Sequence, residues 1–121
     1  MATQKIQTSG IDFIMYLVKD MERARHFYES AFELPRGTFD SAYYVEYELP
    51  DGNAFALAQD PSGEWTQCGG ALFGVPELEP ALRRVQELGA TLARPLIEGN
   101  ICRSAWCTDP EGNPFGLHQR K

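Results

Sequence analysis

Imidazole and thiol side chains, the groups best suited to transition-metal ligation and to proton transfer near neutral pH, are few in this sequence. There are two histidines, His26 and His118, and three cysteines, Cys68, Cys102 and Cys107. An imidazole can carry a proton near neutral pH or ligate a metal. A catalytic metal centre takes about three protein ligands, however, and one imidazole does not make one. His26 sits beside Phe27-Tyr28 in a stretch of helical spacing and reads as a solvated or stem-packed helix residue. His118 follows Phe115-Gly116-Leu117 on a strand and is the candidate for hydrogen bonding or acid–base work on a bound ligand. The cysteines include no Cys-x-x-Cys, and Cys102 and Cys107 point to opposite faces of one strand because their separation is odd. They read as structural thiols. Glu46 and Glu48 alternate with Val45 and Tyr47, and the pattern leaves open which set faces inward; an inward glutamate would supply a carboxylate for a base or a cation. There is no Ser-His-Asp arrangement, phosphate-binding glycine loop or dinucleotide fingerprint. Asp51-Gly52-Asn53 resembles the start of a calcium loop but lacks its glycine spacing and terminal glutamate, so it reads as a turn.

The frame around these residues is small. With 121 residues, 43% of them hydrophobic and 23% charged, the chain is one compact domain or two half-size modules sharing a core. No apolar run approaches the roughly 18 residues of a membrane span. The opening Met1-Ala2-Thr3-Gln4-Lys5-Ile6 has no apolar signal-peptide core, so cytoplasmic residence is the expectation. A net charge of −6 with scattered basic residues argues against a nucleic-acid partner.

The strongest organising signal is a repeated phrase. Pro50-Asp51-Gly52-Asn53-Ala54-Phe55-Ala56-Leu57-Ala58-Gln59 returns as Pro110-Glu111-Gly112-Asn113-Pro114-Phe115-Gly116-Leu117-His118-Gln119, with six of ten positions identical. An echo half a chain away marks two copies of one supersecondary unit. Before the first copy, Ile11 to Val18 predicts a buried strand. Asp20 offers an N-cap, residues 21–33 carry a helical stripe, and Pro35-Arg36-Gly37 ends it. Phe39 to Leu49 reads as one strand, and Ala54 to Gln59 as the next. Residues 60–66 read as a linker. In the second half, Gly70 to Val75 predicts a strand and Leu78 to Leu88 a helix, with Pro80 near its first turn and Gly89 as its stop. Residues 91–97, 101–108 and 114–119 complete that half as strands.

Several of these elements together resemble the vicinal oxygen chelate superfamily, which includes glyoxalase I, bleomycin-resistance proteins and extradiol dioxygenases. The residues carrying the resemblance are Leu17-Val18-Lys19-Asp20 leading into Ala24-x-x-Phe27-Tyr28, and Asp109-Pro110-Glu111-Gly112-Asn113 followed by Phe115-Gly116-Leu117. Gly74-Val75-Pro76 and Leu88-Gly89-Ala90 add weaker support. The resemblance implies an α+β fold of two βαβββ modules forming an eight-stranded, cup-shaped mixed sheet with helices outside. The modules would span about residues 6–60 and 69–121, joined by a linker at about 60–68. It also implies a homodimer.

The superfamily's metalloenzymes take four ligands from four strands. Carried across residue by residue, those positions are Phe13, Ala56, Gly70 and Gly116, none of which can coordinate a metal. No metal and no cofactor is therefore expected. Strand alternation then predicts a ligand cavity lined by Phe13, Met15, Ala56, Leu72 and His118, with Trp106 a lining candidate on a longer strand whose inward set the pattern leaves open. Arg103 is a further lining candidate, and Trp65 would lie at the rim. The expected function is metal-independent binding of an aromatic or hydrophobic small molecule, as in the bleomycin-resistance branch. The alternatives are an enzyme of the same superfamily with a non-standard site, for which His118 is the weak catalytic candidate, and a structural or regulatory protein whose cup is filled.

Overall fold

The computed structural model describes residues 5–121. Its elements run β1 (Gly10–Leu17), α1 (Met21–Ala31), β2 (Arg36–Asp40), β3 (Tyr44–Glu48), β4 (Ala54–Ala58), β5 (Cys68–Gly74), α2 (Leu78–Glu87), β6 (Thr91–Leu92), β7 (Ile97–Glu98), β8 (Cys102–Thr108) and β9 (Pro114–Arg120). The class is α+β, and the order strand, helix, strands occurs twice. The contacts form two compact units, residues 13–69 and residues 5–12 with 70–121. Residues 5–12, expected with the first module, thus group with the second half. They are held there by the Ser9 N–H and the Thr8 hydroxyl, which both donate to the Gly74 carbonyl, at 3.1 and 2.8 Å.

In the unit of residues 13–69 the strand order is β2-β3-β4-β1, with β1 and β4 parallel and the other pairs antiparallel. The side chains of Val45, Tyr47 and Leu57 pack with Met21 of α1 in a buried core, extended by Ala24, Tyr28 and Phe55. The other unit repeats the plan in the order β5-β9-β8-β6, with β7 also on β8. Its core is Ala105 and Leu117 of the sheet against Leu78 and Ala81 of α2. Each helix presents its apolar stripe to one face of its own sheet, because 3.6-residue and 2-residue periodicities meet only on such faces.

The repeated phrase does the same two jobs in both units. Its glycine makes the turn: Gly52 and Gly112 have φ of +91° and +90°, a conformation that L side chains rarely adopt. Asn53 and Asn113 close it by donating to Asp51 and Asp109 respectively. Its terminal glutamine then caps a helix. The Gln59 carboxamide oxygen accepts the Met21 N–H at 2.8 Å, and Gln119 accepts the Leu78 N–H at 2.7 Å. Asp20 is also the N-cap it reads as, accepting from the Arg23 N–H at 3.1 Å. At α2 the N-cap residue Glu77 makes no side-chain cap bond, so Gln119 supplies what the local sequence does not.

Two expected strands are broken. The stretch 39–49 is not one strand but the end of β2, a turn and β3. Ser41 makes the turn, its hydroxyl oxygen accepting the N–H groups of Tyr43 and Tyr44, a local competition that serine is suited to win. Residues 91–97 split into β6 and β7 around Pro95, which cannot donate to a ladder.

Replacing Gln59 or Gln119 by alanine leaves the first helical N–H without its acceptor. Each substitution is expected to cost about 1–2 kcal/mol in urea denaturation. An unchanged midpoint would show the carboxamides to be bystanders.

Candidate functional site

The parallel and antiparallel registers fix which residues share the sheet face turned away from each helix. In the unit of residues 13–69, Met15 is level with Ala56, Leu17 with Ala58, and Glu46 with Ala56. Phe13, two residues before Met15, points the same way. Tyr44 and Glu46 belong to this face, and the Tyr44 hydroxyl donates to Glu46 Oε2 at 2.9 Å; Val45 and Tyr47 belong to the helix side. That settles the alternation the sequence left open. Apart from the fully buried Ala56, these residues are half-buried. The result is an apolar strip of Phe13, Met15, Leu17 and Ala58 with one phenol–carboxylate pair at its edge.

The corresponding face of the other unit is closed. Leu72 and Trp106 both stand level with Gly116, and Ser104 and Gly74 with His118. Leu72 is 2% exposed and Trp106 7%, because the Leu72 side chain occupies the space over Gly116. These two predicted lining residues are buried, on the face opposite the Ala105–Leu117 core. His118 shares the face with Gly116, as expected.

Arg103 lies on the opposite face of β8. Its guanidinium forms ion pairs with Glu79 of α2 and Glu98 of β7, so it braces the helix side and does not line the face that carries Trp106. The register explains this, since 103 and 106 differ by an odd number. Trp65 is 42% exposed, and its indole N–H donates to the Leu17 carbonyl at 3.1 Å. It flanks a groove of about 540 Å³ shared with Tyr16, Phe27, Tyr28 and Lys19. His26 is exposed on α1. Cys107 is buried, which pushes its thiol up from the usual value.

One cluster was not legible in the sequence. His118 Nδ1 lies 2.6 Å from Asp12 Oδ2, and the two side chains are only 9% and 8% exposed. Arg120 reaches the other oxygen of Asp12 at 3.3 Å. Gly74 makes this possible, because a Cβ there would lie 2.8 Å from both Asp12 oxygens and 2.6 Å from the Ser9 hydroxyl. The pair forms part of the wall of a recess of about 410 Å³. An imidazole whose Nδ1 is held by a carboxylate has a fixed ring orientation, the arrangement used wherever histidine moves protons.

Three solved structures show what this architecture is similar to. An NAD-dependent benzaldehyde dehydrogenase from Legionella pneumophila superposes with a TM-score of 0.69 at 12% identity, over 90% of this chain and 98% of its own. Methylmalonyl-CoA epimerase from Mycobacterium tuberculosis gives 0.63 at 17% identity, over 98% and 92%. Homoprotocatechuate 2,3-dioxygenase from Brevibacterium fuscum gives 0.66 at 18% identity, over 96% of this chain but 38% of the enzyme chain. This is the vicinal oxygen chelate fold. No protein-family model and no curated protein sequence matches the chain. At these identities the likeness is one of fold, and the chemistry must come from the residues themselves.

The metal that this fold commonly houses does not fit the residues present. The four positions are Phe13, Ala56, Gly70 and Gly116, without a donor side chain among them. At the two glycines the surroundings leave no room to acquire one. A Cβ at Gly116 would lie 2.6 Å from Leu72 Cγ, and one at Gly70 would lie 2.4 Å from the Pro114 carbonyl oxygen. Among the described residues no group of three His, Cys, Asp or Glu is placed to hold a metal ion.

Two measurements follow from this packing. Gly116→Ala is expected to destabilise the protein by about 1–3 kcal/mol through the Leu72 contact. That penalty shrinks in a Leu72→Ala background; equal penalties in both backgrounds would show the two sites to be independent. The Arg103 cluster sets an acid dependence. Its hydrogen bond holds the Glu79 carboxyl down at about 2, against an ordinary 4.5. The unfolded chain therefore takes up this proton at higher pH than the folded one. The stabilisation is complete above the ordinary value and fades as pH falls from there toward 2. Acid titration of stability should be shallower over that window in Glu79→Gln than in the parent, and parallel curves would remove Glu79 from the account.

Proposed function

We infer that this protein binds an apolar or aromatic small molecule without a metal chelate. The observation that carries the reading is the half-buried strip of Phe13, Met15, Leu17 and Ala58, with the Tyr44–Glu46 pair at its edge. Mostly apolar walls with a small number of oriented polar groups are the usual composition of a small-molecule site. Methionine and aromatic surface suits a flat ligand. The reading is supported further by the ligand positions, where donor-free residues stand in place of His, Glu or Gln. Binding by enclosure, as the bleomycin-resistance branch of the fold does it, needs no such donors. A homodimer belongs to the same proposal.

A second reading is favoured by one observation, the buried Asp12–His118 contact. In it the protein is an enzyme whose proton carrier is His118 oriented by Asp12, with chemistry confined to side chains. Transition-metal chemistry of the glyoxalase kind has no place in either reading, because nothing in the donor set would hold the Lewis acid.

Thermal denaturation against a panel of planar aromatic compounds tests the first reading. A ligand present at a hundred times its Kd adds about 2.7 kcal/mol to stability and raises the midpoint by several degrees. Met15→Lys, which places a charge on the strip, abolishes the shift while leaving the fold intact by circular dichroism. Stoichiometric Zn, Ni, Fe or Mn in the purified protein, with a midpoint that falls on chelation, would overturn the reading.

A further inference from the structure

We propose that the recess over the Asp12–His118 pair is a binding site for a small oxyanion, a carboxylate or phosphate group, with the guanidinium of Arg120 as its charge partner. The recess lies wholly within the unit of residues 5–12 and 70–121. Its wall includes Gln7, Ser9, Asp12, Gly74, His118 and Arg120. Its volume of about 410 Å³ lies in the range of small-molecule sites, roughly 300–1,000 Å³.

Asp12 and Arg120 offset each other in formal charge, so the donors left on the wall decide the sign of the ligand. Asp12 is the one carboxylate there, and it is already engaged at both oxygens, by His118 at 2.6 Å and Arg120 at 3.3 Å. A cation entering the recess would compete with both and approach the guanidinium. An oxyanion meets the opposite situation. Arg120 is 71% exposed, and a guanidinium carries five N–H groups in a planar fork that matches carboxylate and phosphate. The contact to Asp12 holds that fork at the mouth of the recess. The Ser9 hydroxyl and Gln7 carboxamide on the same wall add donors of the kind that complete an anion's shell.

The construction of the floor points the same way. A buried acid–imidazole pair is weak evidence for stability, since desolvation offsets much of its attraction. Here Gly74 is bare where any Cβ would collide with Asp12 and Ser9. The strand therefore leaves room for a carboxylate whose effect is to aim an imidazole and a guanidinium at one opening. The recess is lined by no residue of the apolar strip, and the proposal requires no chemistry at His118.

The test is an NMR titration of the whole chain with sodium malonate and, separately, sodium phosphate, each against sodium chloride at matched ionic strength. Saturable shifts at the backbone amides of Ser9, Gly74, His118 and Arg120 are expected with at least one of the two. Malonate alone would identify an organic acid as the ligand class, and phosphate alone a phosphorylated one. Arg120→Gln, at an exposed position where the fold is retained, should weaken the binding at least about tenfold, in line with loss of one charge-assisted contact. Arg120→Lys, which keeps the charge and loses the fork, should recover part of it. The proposal fails if neither anion gives saturable shifts beyond chloride, if the shifts fall elsewhere, or if Arg120→Gln binds as the parent does. None of these results bears on whether an aromatic compound stabilises the protein.

Discussion

A helix leaves its first N–H groups without intrahelical partners, and how that deficit is met organises both halves of this protein. In each, the acceptor is a glutamine carboxamide at the end of the strand that follows the glycine turn. The bond does more than satisfy a donor. Gln59 is 38 residues from Met21 and Gln119 is 41 from Leu78, so each contact closes the path from the start of the helix through the strands that follow it and fixes the height of the helix against its sheet. The turn must then place the strand in one register only, since a slip of one residue would carry the glutamine to the other face. Glycine with positive φ, asparagine closing the loop, Phe and Leu on the helix side, and glutamine at the cap form one linked constraint.

Positions outside that constraint have diverged between the halves in a consistent direction. Met15 corresponds to Leu72, Ala56 to Gly116, and Glu46 to Trp106, all on the face away from the helix. In one unit the face remains half-buried and carries a polar pair. In the other a leucine fills the space above a glycine and a tryptophan closes beside it. The same backbone thus presents one accessible apolar face and one packed one. The difference lies in side-chain volume, which interiors packed at crystal density do not forgive.

What could be read from the sequence follows from the range of the interactions involved. The repeat, the two helices, the Asp20 cap, the Gly89 stop and the shared face of Gly116 and His118 rest on local pattern, and local pattern suffices for them. The split of β2 from β3 was local as well, but its signal, a single serine competing for backbone N–H groups, is weaker than the run of aromatic β-formers around it. Arg103 falls on the helix side because it is three residues from Trp106, and which of the two faces the helix needs the register that sets Trp106 level with Gly116. The Asp12–His118 contact spans 106 residues. No periodicity joins the start of β1 to the end of β9, and the one hint, Gly74 closing a strand that also carries Gly69 and Gly70, is ambiguous until its neighbours are known.

That glycine also bears on how this fold places polar groups when Phe13, Ala56, Gly70 and Gly116 offer no donor side chain. A chelated cation concentrates charge at the centre of the site and so dictates that the residues around it be anionic or imidazole donors. With alanine, glycine and phenylalanine at those positions no donor side chain stands there, and side-chain size governs how far each sheet face fills. Polar function has then to be placed where backbone geometry, not metal coordination, holds it. The Asp12–His118–Arg120 cluster meets that condition. It sits two residues along β9 from Gly116, one of the donor-free ligand positions, its carboxylate is oriented by two partners, and its space is created by the absence of a single Cβ at Gly74. In this unit the charged groups stand beside Gly116 rather than at it, and Asp12 pairs there with both His118 and Arg120.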